Sequence, residues 1–312
     1  MCRLFGFRSN VPSRAHRSLI EAENAVANQA DYHSDGWGIG YFLGEDAYVY
    51  KSEAGAAGDA RFQRISSRLR SHTFVVHVRK ATVGQVDYLN SHPFRHGAWM
   101  FAHNGNLYGF EELRKRMRAT VEPQLDQLIF GVTDSEHFFY YLLSALGRAG
   151  VPLDGRGKID TVLAARVIRE ALSDLFTWAK ELGVEPPKAN FILTNGRVFI
   201  AQRAGLELYL ATQKRTCADF TTCAEPDKVC MMGQMPALSG LLSGGGRRKC
   251  NHLLIASEPI GDEDIWEEIP EGAMVVMDDD FHIKIYPGPE PFWVTWPAPL
   301  KPTGPRPGVI LA

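Results

Sequence analysis

The alternation of apolar and polar positions along the chain predicts strands near its N-terminus. Five stretches combine β-branched and aromatic residues with turn-prone flanks, and they lie at residues 2–9, 37–43, 47–51, 74–79 and 98–105. The second and third are predicted to form a hairpin through Gly-Glu-Asp. A helix is predicted over residues 13–30 with Ser13 as its N-cap, and a polar helix over residues 61–71.

Two stronger helical patterns occupy the middle of the chain. Residues 134–147 are predicted to form a helix with Asp134 as its N-cap and Gly147 at its C-terminal end. A longer helix is predicted from the capping residue Asp160 to Leu182, and Gly183 ends it.

The pattern then returns to strands. Residues 190–203 predict a hairpin around Asn195-Gly196, a pair that favours a two-residue turn. Further strands are predicted at residues 206–212, 252–257, 273–278 and 281–287. Because strands, helices and strands follow one another without regular strand–helix–strand alternation, antiparallel sheets with helices packed outside them are predicted.

Two segments depart from these patterns. Residues 214–250 contain four of the five cysteines and little periodicity, which predicts a loop insertion. Residues 287–312 contain eight of the 18 prolines, which predicts a proline-rich tail in extended conformation. The globular domain is therefore predicted to span residues 2–286.

Composition narrows the class of partner. A chain of 312 residues with 45% hydrophobic content is long enough to bury a sizeable core. Its 34 basic and 36 acidic residues nearly cancel, so the bulk charge favours neither nucleic acid nor a membrane surface. A small-molecule substrate is expected.

The N-terminus does not have the pattern of a secretory signal, because Arg3, Arg8 and Arg14 interrupt it. No apolar run approaches the roughly 18 residues of a membrane span. These features predict a cytoplasmic protein whose cysteines are thiols. Cys217, Cys223, Cys230, Cys250 and His252 lack the closely spaced pairs of structural zinc sites, so neither a metal nor a cofactor is predicted.

Four short motifs at predicted strand ends and loops carry residue types suited to chemistry: HSDGWGIG (33–40), HVRKATVG (77–84), AHNGNL (102–107) and TDSEH (133–137). The guanidinium of Arg79 suits either a ligand carboxylate or a structural ion pair. Asn104 and Gly105 suit either a simple turn or an oxyanion hole. The two oxygens of Asp134 allow it to cap a helix and also accept a hydrogen bond from an ammonium group.

A cysteine follows Met1 directly. Removal of Met1 would give Cys2 a free α-amino group, whose reference pKa of about 7.7 to 8.0 makes it a base for the adjacent thiol. The alternative is that Cys2 is a small apolar residue at the start of a strand. A thiol, an amine, oxyanion donors, a cation and a carboxylate together suit hydrolysis of an amino-acid side-chain amide, for which glutamine is the obvious substrate.

The chain resembles the class II glutamine amidotransferases of the N-terminal-nucleophile (Ntn) hydrolase superfamily, and in particular their small stand-alone members. The resemblance covers about residues 1–280. It rests on motifs that occur in the family's order: the MC start, HSDGWG (33–38), HVRKATVG (77–84), NSHPF (90–94), AHNG (102–105), TDSE (133–136) and ASEPIGDEDIWEEIPEG (256–272).

The resemblance implies an α+β fold, a four-layer αββα sandwich of two antiparallel sheets between helical layers. It implies that Cys2 is the nucleophile and that its α-amine is the base. It further implies that Asn104 and Gly105 form the oxyanion hole. The implied substrate ligands are Arg79 and Thr82 for the α-carboxylate and Asp134 for the α-ammonium. His33, Asp35, Gly36 and His92 are candidates for supporting this site.

The implied activity is cleavage of glutamine to glutamate and ammonia through a γ-glutamyl thioester. No synthase domain follows residue 280, so either a separate subunit accepts the ammonia or the protein is a plain amidohydrolase. Two alternatives stay open: hydrolysis of a γ-glutamyl conjugate in thiol metabolism, of the ergothioneine-pathway type, and a non-catalytic glutamine-binding regulatory subunit.

Overall fold

Two antiparallel sheets of seven strands each form the frame of the protein within the part of the chain that the computed structural model describes, residues 2–14, 17–21, 36–79, 87–216 and 248–288. The strands are β1 (Arg3–Ser13), β2 (Trp37–Leu43), β3 (Asp46–Ser52), β4 (Ser71–Val78), β5 (Phe94–His96), β6 (Trp99–Asn106), β7 (Lys188–Thr194), β8 (Phe199–Gln202), β9 (Tyr209–Lys214), β10 (Arg248–Lys249), β11 (His252–Ala256), β12 (Asp264–Glu268), β13 (Met274–Met277) and β14 (His282–Tyr286). The helices are α1 (Ala60–Arg68), α2 (Phe110–Thr120), α3 (Pro123–Asp126), α4 (Asp134–Arg148) and α5 (Thr161–Glu181).

The strand order defines two sheets. Sheet A has the order β12-β9-β11-β1-β4-β2-β3, and sheet B has the order β10-β14-β13-β8-β7-β6-β5. Strand β1 lies in the middle of sheet A, where it pairs with both β4 and β11. The start of the chain is therefore held on both sides by backbone hydrogen bonds.

Successive side chains of each strand point to opposite faces, and this alternation builds the layers. Leu4 belongs to the apolar cluster between the sheets, together with Ala102 and Ile192 of sheet B. Its neighbour Phe5 belongs to a cluster on the outer face of sheet A that includes Phe62 of α1. Each such fully buried side chain contributes roughly 1.5–3 kcal/mol to stability.

The outer face of sheet B is covered by the other helical layer. Its cluster joins Phe101 of β6 and Phe191 of β7 to Phe138 of α4 and Leu175 of α5. The arrangement is thus helix, sheet, sheet, helix, and it confirms the predicted αββα sandwich. None of the helices within the described residues is both long enough and apolar enough to cross a membrane.

Local patterns predicted most of the elements correctly. The hairpins β2–β3 and β7–β8 are confirmed. The long helix α5 also has its predicted ends: the Asp160 carboxylate accepts hydrogen bonds from the N–H groups of Val162 and Leu163, and Gly183 follows with φ +66°. These signals are reliable because they act over a few consecutive residues.

Four predicted helix ends are wrong. The polar helix predicted to reach Ser71 ends at Arg68, and Ser71 begins β4. Ser13 does not cap a helix; it ends β1, and the described residues after it form a π-helical turn at Arg17–Glu21. The N-cap of α4 is Thr133, whose extended backbone lets its hydroxyl accept the N–H of Glu136, so Asp134 is the first helical residue. The same helix continues through Gly147 to Arg148.

Helix α2 was not predicted, because it is mostly charged and buries only Leu113 and Met117. Two buried residues make too short an apolar stripe to stand out in the sequence. The predicted insertion is described only at its edges, where β9 ends at Lys214 and β10 begins at Arg248. Its remaining residues, 217–247, and the tail beyond residue 288 lie outside the described residues.

A close approach between the sheets explains a glycine of the GWGIG sequence. A Cβ built on Gly38 would overlap the main-chain carbonyl oxygen of His92 and press on Pro93. Any other residue at position 38 would therefore push the NSHPF segment away from sheet A. Glycine here lets the segment that precedes β5 pack directly on β2.

Candidate active site

Three neighbouring strands of sheet A, β1, β4 and β2, each have one end on the same side of the sheet. Predicted site residues at these strand ends lie side by side. In the β1–β4 ladder Arg3 lies opposite Val78, so Cys2 and Arg79 occupy the next positions of the two strands. On the other side of β4, the N–H of Arg79 donates to the carbonyl oxygen of Gly36 at 2.8 Å. Cys2, Arg79 and Gly36 therefore lie next to one another, in that order, across the ends of β1, β4 and β2.

Residues after β11 hold the start of β1 in place. Ser257 accepts the N–H of Leu4 through its hydroxyl at 3.1 Å, and its own N–H donates to the Leu4 carbonyl oxygen at 3.0 Å. The carboxylate of Glu258 lies 3.0 Å from Nε of Arg3. These contacts give a structural reason for the ASEPIG motif, because they position the backbone that carries Cys2. Cys2 itself is partly exposed.

Sheet B supplies the second side of the site through the end of β6. Asn104 and Gly105 pair with Asn190 and Ala189 of β7, and Asn104 is only 5% exposed. The strand contacts both β1 and β4 across the space between the sheets. Because Ala102 faces that space, the alternation of the strand directs Asn104 to the same side.

Asp134 is tied to the end of the same strand. Its Oδ2 accepts the N–H of Leu107 at 2.9 Å, one residue beyond β6. Asp134 is only 5% exposed. The first turn of α4 and the end of β6 are thereby joined by a buried hydrogen bond, which keeps Asp134 close to the Asn104–Gly105 segment.

The rings of His77 and His92 lie together at the inner face of this region. Their centroids are 4.2 Å apart, and the His92 ring also meets Phe94 edge-on at 4.7 Å. Burial lowers the pKa of His92 well below its ordinary value, and the nearby His77, His103, Lys51 and Arg79 lower it further. His92 is therefore a neutral packing residue in the resting site.

Lys51 and Glu136 are two charged residues that affect each other's pKa, and the sequence did not single out either of them. The ammonium of Lys51 lies 5.3 Å from the ring centre of Tyr88 and 5.0 Å from that of Phe94. Burial lowers the pKa of Lys51 to about 8, while the charge of Glu136 raises it. Burial in turn raises the pKa of Glu136, whose carboxylate accepts the N–H of Gly131 at 2.5 Å.

Other predicted residues are not placed by the structure. His33, Asp35, Thr82, Cys217, Cys223 and Cys230 lie outside the described residues.

Cys250 is buried between the sheets, where burial raises the pKa of its thiol to about 12. His252 is buried as well, and its pKa falls to about 3. Both groups are therefore neutral near pH 7.

One group of side chains in the described ranges has ligand atoms spaced as a metal ion would need them. It consists of Asp278, Asp280 and His282, whose ligand atoms lie within 4.8 Å of one another in the turn between β13 and β14. Oδ1 of Asp278 accepts the N–H groups of Asp280 and His282, which accounts for the cluster as a turn-forming contact.

Comparison with known proteins agrees with this fold. Residues 1–291 match the family model described as class II glutamine amidotransferases, and the chain belongs to that family. The fold is that of the Ntn hydrolases. A glutamine aminotransferase class-II domain protein from Silicibacter pomeroyi superposes with a TM-score of 0.57 at 15% identity, over 92% of this chain and 99% of that one.

Two curated relatives differ in what their names state. The chain is 25% identical over 226 residues to the probable glutamine amidotransferase DUG3 of Saccharomyces cerevisiae, which is 65% of this chain and 63% of that protein. It is 40% identical over 74 residues to the γ-glutamyl-hercynylcysteine sulfoxide hydrolase of Mycobacterium tuberculosis, 23% of this chain and 32% of that protein. The chain therefore spans less than two thirds of the length of these relatives.

Proposed function

We propose that the protein is an amidohydrolase that cleaves the side-chain amide of glutamine to glutamate and ammonia. The observation that supports this most directly is that Cys2 and Arg79 lie side by side at the ends of β1 and β4 in sheet A. Strand β6, which carries Asn104 and Gly105, contacts both of these strands, and Asp134 is bonded to Leu107 just beyond β6. In a member of the class II amidotransferases, this set supplies a nucleophile, oxyanion donors and two charged groups for an amino acid.

The proposed reaction begins after removal of Met1. The α-amine of Cys2 takes the thiol proton, and the thiolate attacks the amide carbon of the substrate. The negative oxygen of the tetrahedral intermediate accepts hydrogen bonds from the Asn104 side-chain amide and the Gly105 N–H. The protonated α-amine then donates a proton to the leaving nitrogen, which departs as ammonia. Water attacks the γ-glutamyl thioester, releasing glutamate and restoring the thiol.

The substrate is held by its α-amino and α-carboxyl groups in this proposal. Arg79, which is 4% exposed, binds the carboxylate, and Asp134 binds the ammonium. Thr82, three residues after Arg79, assists at the carboxylate. Gly36 and His92 support the site by contact, Gly36 through its bond to the Arg79 N–H.

Hydrolysis of a γ-glutamyl conjugate is the second candidate. The local similarity to the mycobacterial sulfoxide hydrolase favours it, and such a conjugate carries the same amino-acid end as glutamine. Parallel assays with glutamine and with γ-glutamyl amides, which follow free ammonia and the released amine, separate the two candidates. Turnover of bulky conjugates alone would contradict the glutaminase proposal. A measurable release of ammonia by the chain alone would show that no second polypeptide is needed for hydrolysis.

Arg79→Ala is expected to raise KM for glutamine by about 100-fold while changing kcat less than tenfold, because the buried guanidinium binds the substrate carboxylate in ground and transition states alike. Steady-state kinetics measure both constants. The exposed Arg166→Ala on α5 is the matched control and should leave both unchanged. An unchanged KM in Arg79→Ala would remove Arg79 from the substrate site.

A further inference from the structure

A line of buried polar groups leads from Asp134 into the protein. The hydroxyl of Ser135 lies 3.1 Å from Oδ1 of Asp134 and 2.9 Å from Nδ1 of His103. Nε2 of His103 lies 3.0 Å from the carbonyl oxygen of Lys188. Asp134, Ser135 and His103 are each 5% exposed or less.

The hydrogens along this line are arranged differently when His103 is neutral and when it is protonated. The Lys188 carbonyl oxygen only accepts, so Nε2 of His103 carries a hydrogen in both. When His103 is neutral, Nδ1 is bare and can take the single hydroxyl hydrogen of Ser135, for which it competes with Oδ1 of Asp134. When His103 is protonated, Nδ1–H donates to Ser135, and the hydroxyl hydrogen turns to Oδ1 of Asp134.

The two oxygens of Asp134 therefore have different partners. Oδ2 accepts the main-chain N–H of Leu107 in either state. In the protonated state the Ser135 hydrogen must go to Oδ1, because Nδ1 of His103 then carries a hydrogen of its own and cannot accept. A substrate ammonium that binds Oδ1 competes with that hydrogen and is also repelled by the imidazolium charge.

We propose that Ser135 and His103 are positioning residues that control how strongly Asp134 binds the α-ammonium of the substrate, with the Ser135 hydroxyl hydrogen drawn to neutral His103 so that Oδ1 accepts from the ammonium. This inference rests on the proposed function only in taking Asp134 as the ammonium ligand. It assigns a role to two residues that do not touch the reacting atoms.

The surroundings of His103 favour its neutral state. Burial lowers its pKa, while the charge of Asp134 and the bond to the Lys188 carbonyl oxygen act in the opposite direction. The other titratable ring facing it is His92, which is itself neutral. The rings of Phe101 and Phe138 cover the remaining sides at 6.4 and 5.5 Å, and the Lys188 ammonium lies over the Tyr108 ring.

Binding of the substrate ammonium is expected to weaken at low pH. Because the pKa of His103 is lowered, the neutral ring and tight ammonium binding persist at neutral pH, and both are lost as the pH falls through that pKa. The substrate ammonium stays charged over this range, since amino groups of this kind titrate above it. This change should affect the dissociation constant only of a ligand that carries the α-amino group.

The test measures equilibrium binding of two ligands to the Cys2→Ala protein, which cannot turn them over. The ligands are glutamine and glutaramic acid, which has the same amide and carboxylate but no α-amino group. Titrations that act only on the contacts to the shared amide and carboxylate affect both ligands alike. The ratio of their dissociation constants therefore isolates the ammonium contact.

The preference for glutamine over glutaramic acid is expected to fall about tenfold as the pH is lowered from about 7.5 until His103 is protonated, the loss expected for one charge-assisted hydrogen bond. In Cys2→Ala/Ser135→Ala the preference should vary less with pH, because no hydroxyl hydrogen can turn to Asp134 and only the imidazolium charge still weakens ammonium binding. Ser135→Thr keeps the hydroxyl and should restore the dependence. Ser144→Ala, which removes another buried hydroxyl of α4, should leave it unchanged.

Two results would overturn the inference: a preference that does not vary with pH in the Cys2→Ala protein, or the same variation after loss of the Ser135 hydroxyl. Failure of glutamine to bind would also overturn it, together with the assignment of Asp134. If binding behaves as expected and the unsubstituted protein hydrolyses neither glutamine nor γ-glutamyl amides, the proposed function fails while the inference stands.

Discussion

Cys2→Ala should reduce amide hydrolysis by about four orders of magnitude or more, because it removes the atom that attacks the substrate. The fold should survive, since β1 is held by β4 and β11 through main-chain hydrogen bonds and the substitution removes only a sulfur atom at the partly exposed end of the strand. Ammonia release and circular dichroism measure the two effects. Substrate binding should remain.

Cys250→Ala is the matched control for this experiment. Cys250 is the other cysteine within the described residues, and it is buried between the sheets as a neutral thiol. Its loss should leave turnover unchanged and cost little stability. Wild-type turnover in Cys2→Ala would show that the nucleophile is elsewhere. An intact mass that still includes Met1 in active protein would rule out the α-amine as the base.

Gly105→Ala is expected to lower kcat by about 100- to 1,000-fold, which is the effect of losing an oxyanion donor. A Cβ at this position would overlap the carbonyl oxygen of Lys188 and lie 2.5 Å from Nε2 of His103. The end of β6 must then move away from β7, and the Gly105 N–H moves with it. The same strain should cost about 1–3 kcal/mol of stability.

Gly58→Ala provides the control, because a Cβ at Gly58 meets nothing within 4 Å. It should change neither kcat nor the midpoint of thermal unfolding appreciably. Steady-state kinetics and thermal unfolding are to be measured on both variants. A Gly105→Ala protein with wild-type kcat would argue against the oxyanion role of this segment, and wild-type stability would argue against the strain.

The parts of the fold that could be predicted from sequence are those specified by neighbouring residues. The β7–β8 hairpin follows from Asn195-Gly196 and the alternation on either side of it. The start of α5 follows from the Asp160 side chain, which reaches N–H groups two and three residues ahead. Such signals are complete within a few residues, so no knowledge of the rest of the chain is needed.

Prediction failed where two adjacent residues compete or where a helix owes its place to packing. Thr133 and Asp134 are both good N-cap residues, and Asp134 is drawn into the helix while its carboxylate bonds Leu107, 27 residues earlier. Helix α2 carries little apolar signal and is held by contacts with α4 and α5. The alternatives differ by long-range contacts that the local sequence does not contain.

The sequence by itself determined the family, the αββα arrangement and the set of side chains suited to amide hydrolysis, since its motifs are short and contiguous. Only the tertiary structure decided how they meet: that Cys2 lies beside Arg79, that His103 reaches Asp134 through Ser135, and that Lys51 influences Glu136. These partners are mostly separated by tens of residues, and strand register and sheet packing bring them together. Burial in that packing then changes their pKa values, a property that no single segment of the chain possesses.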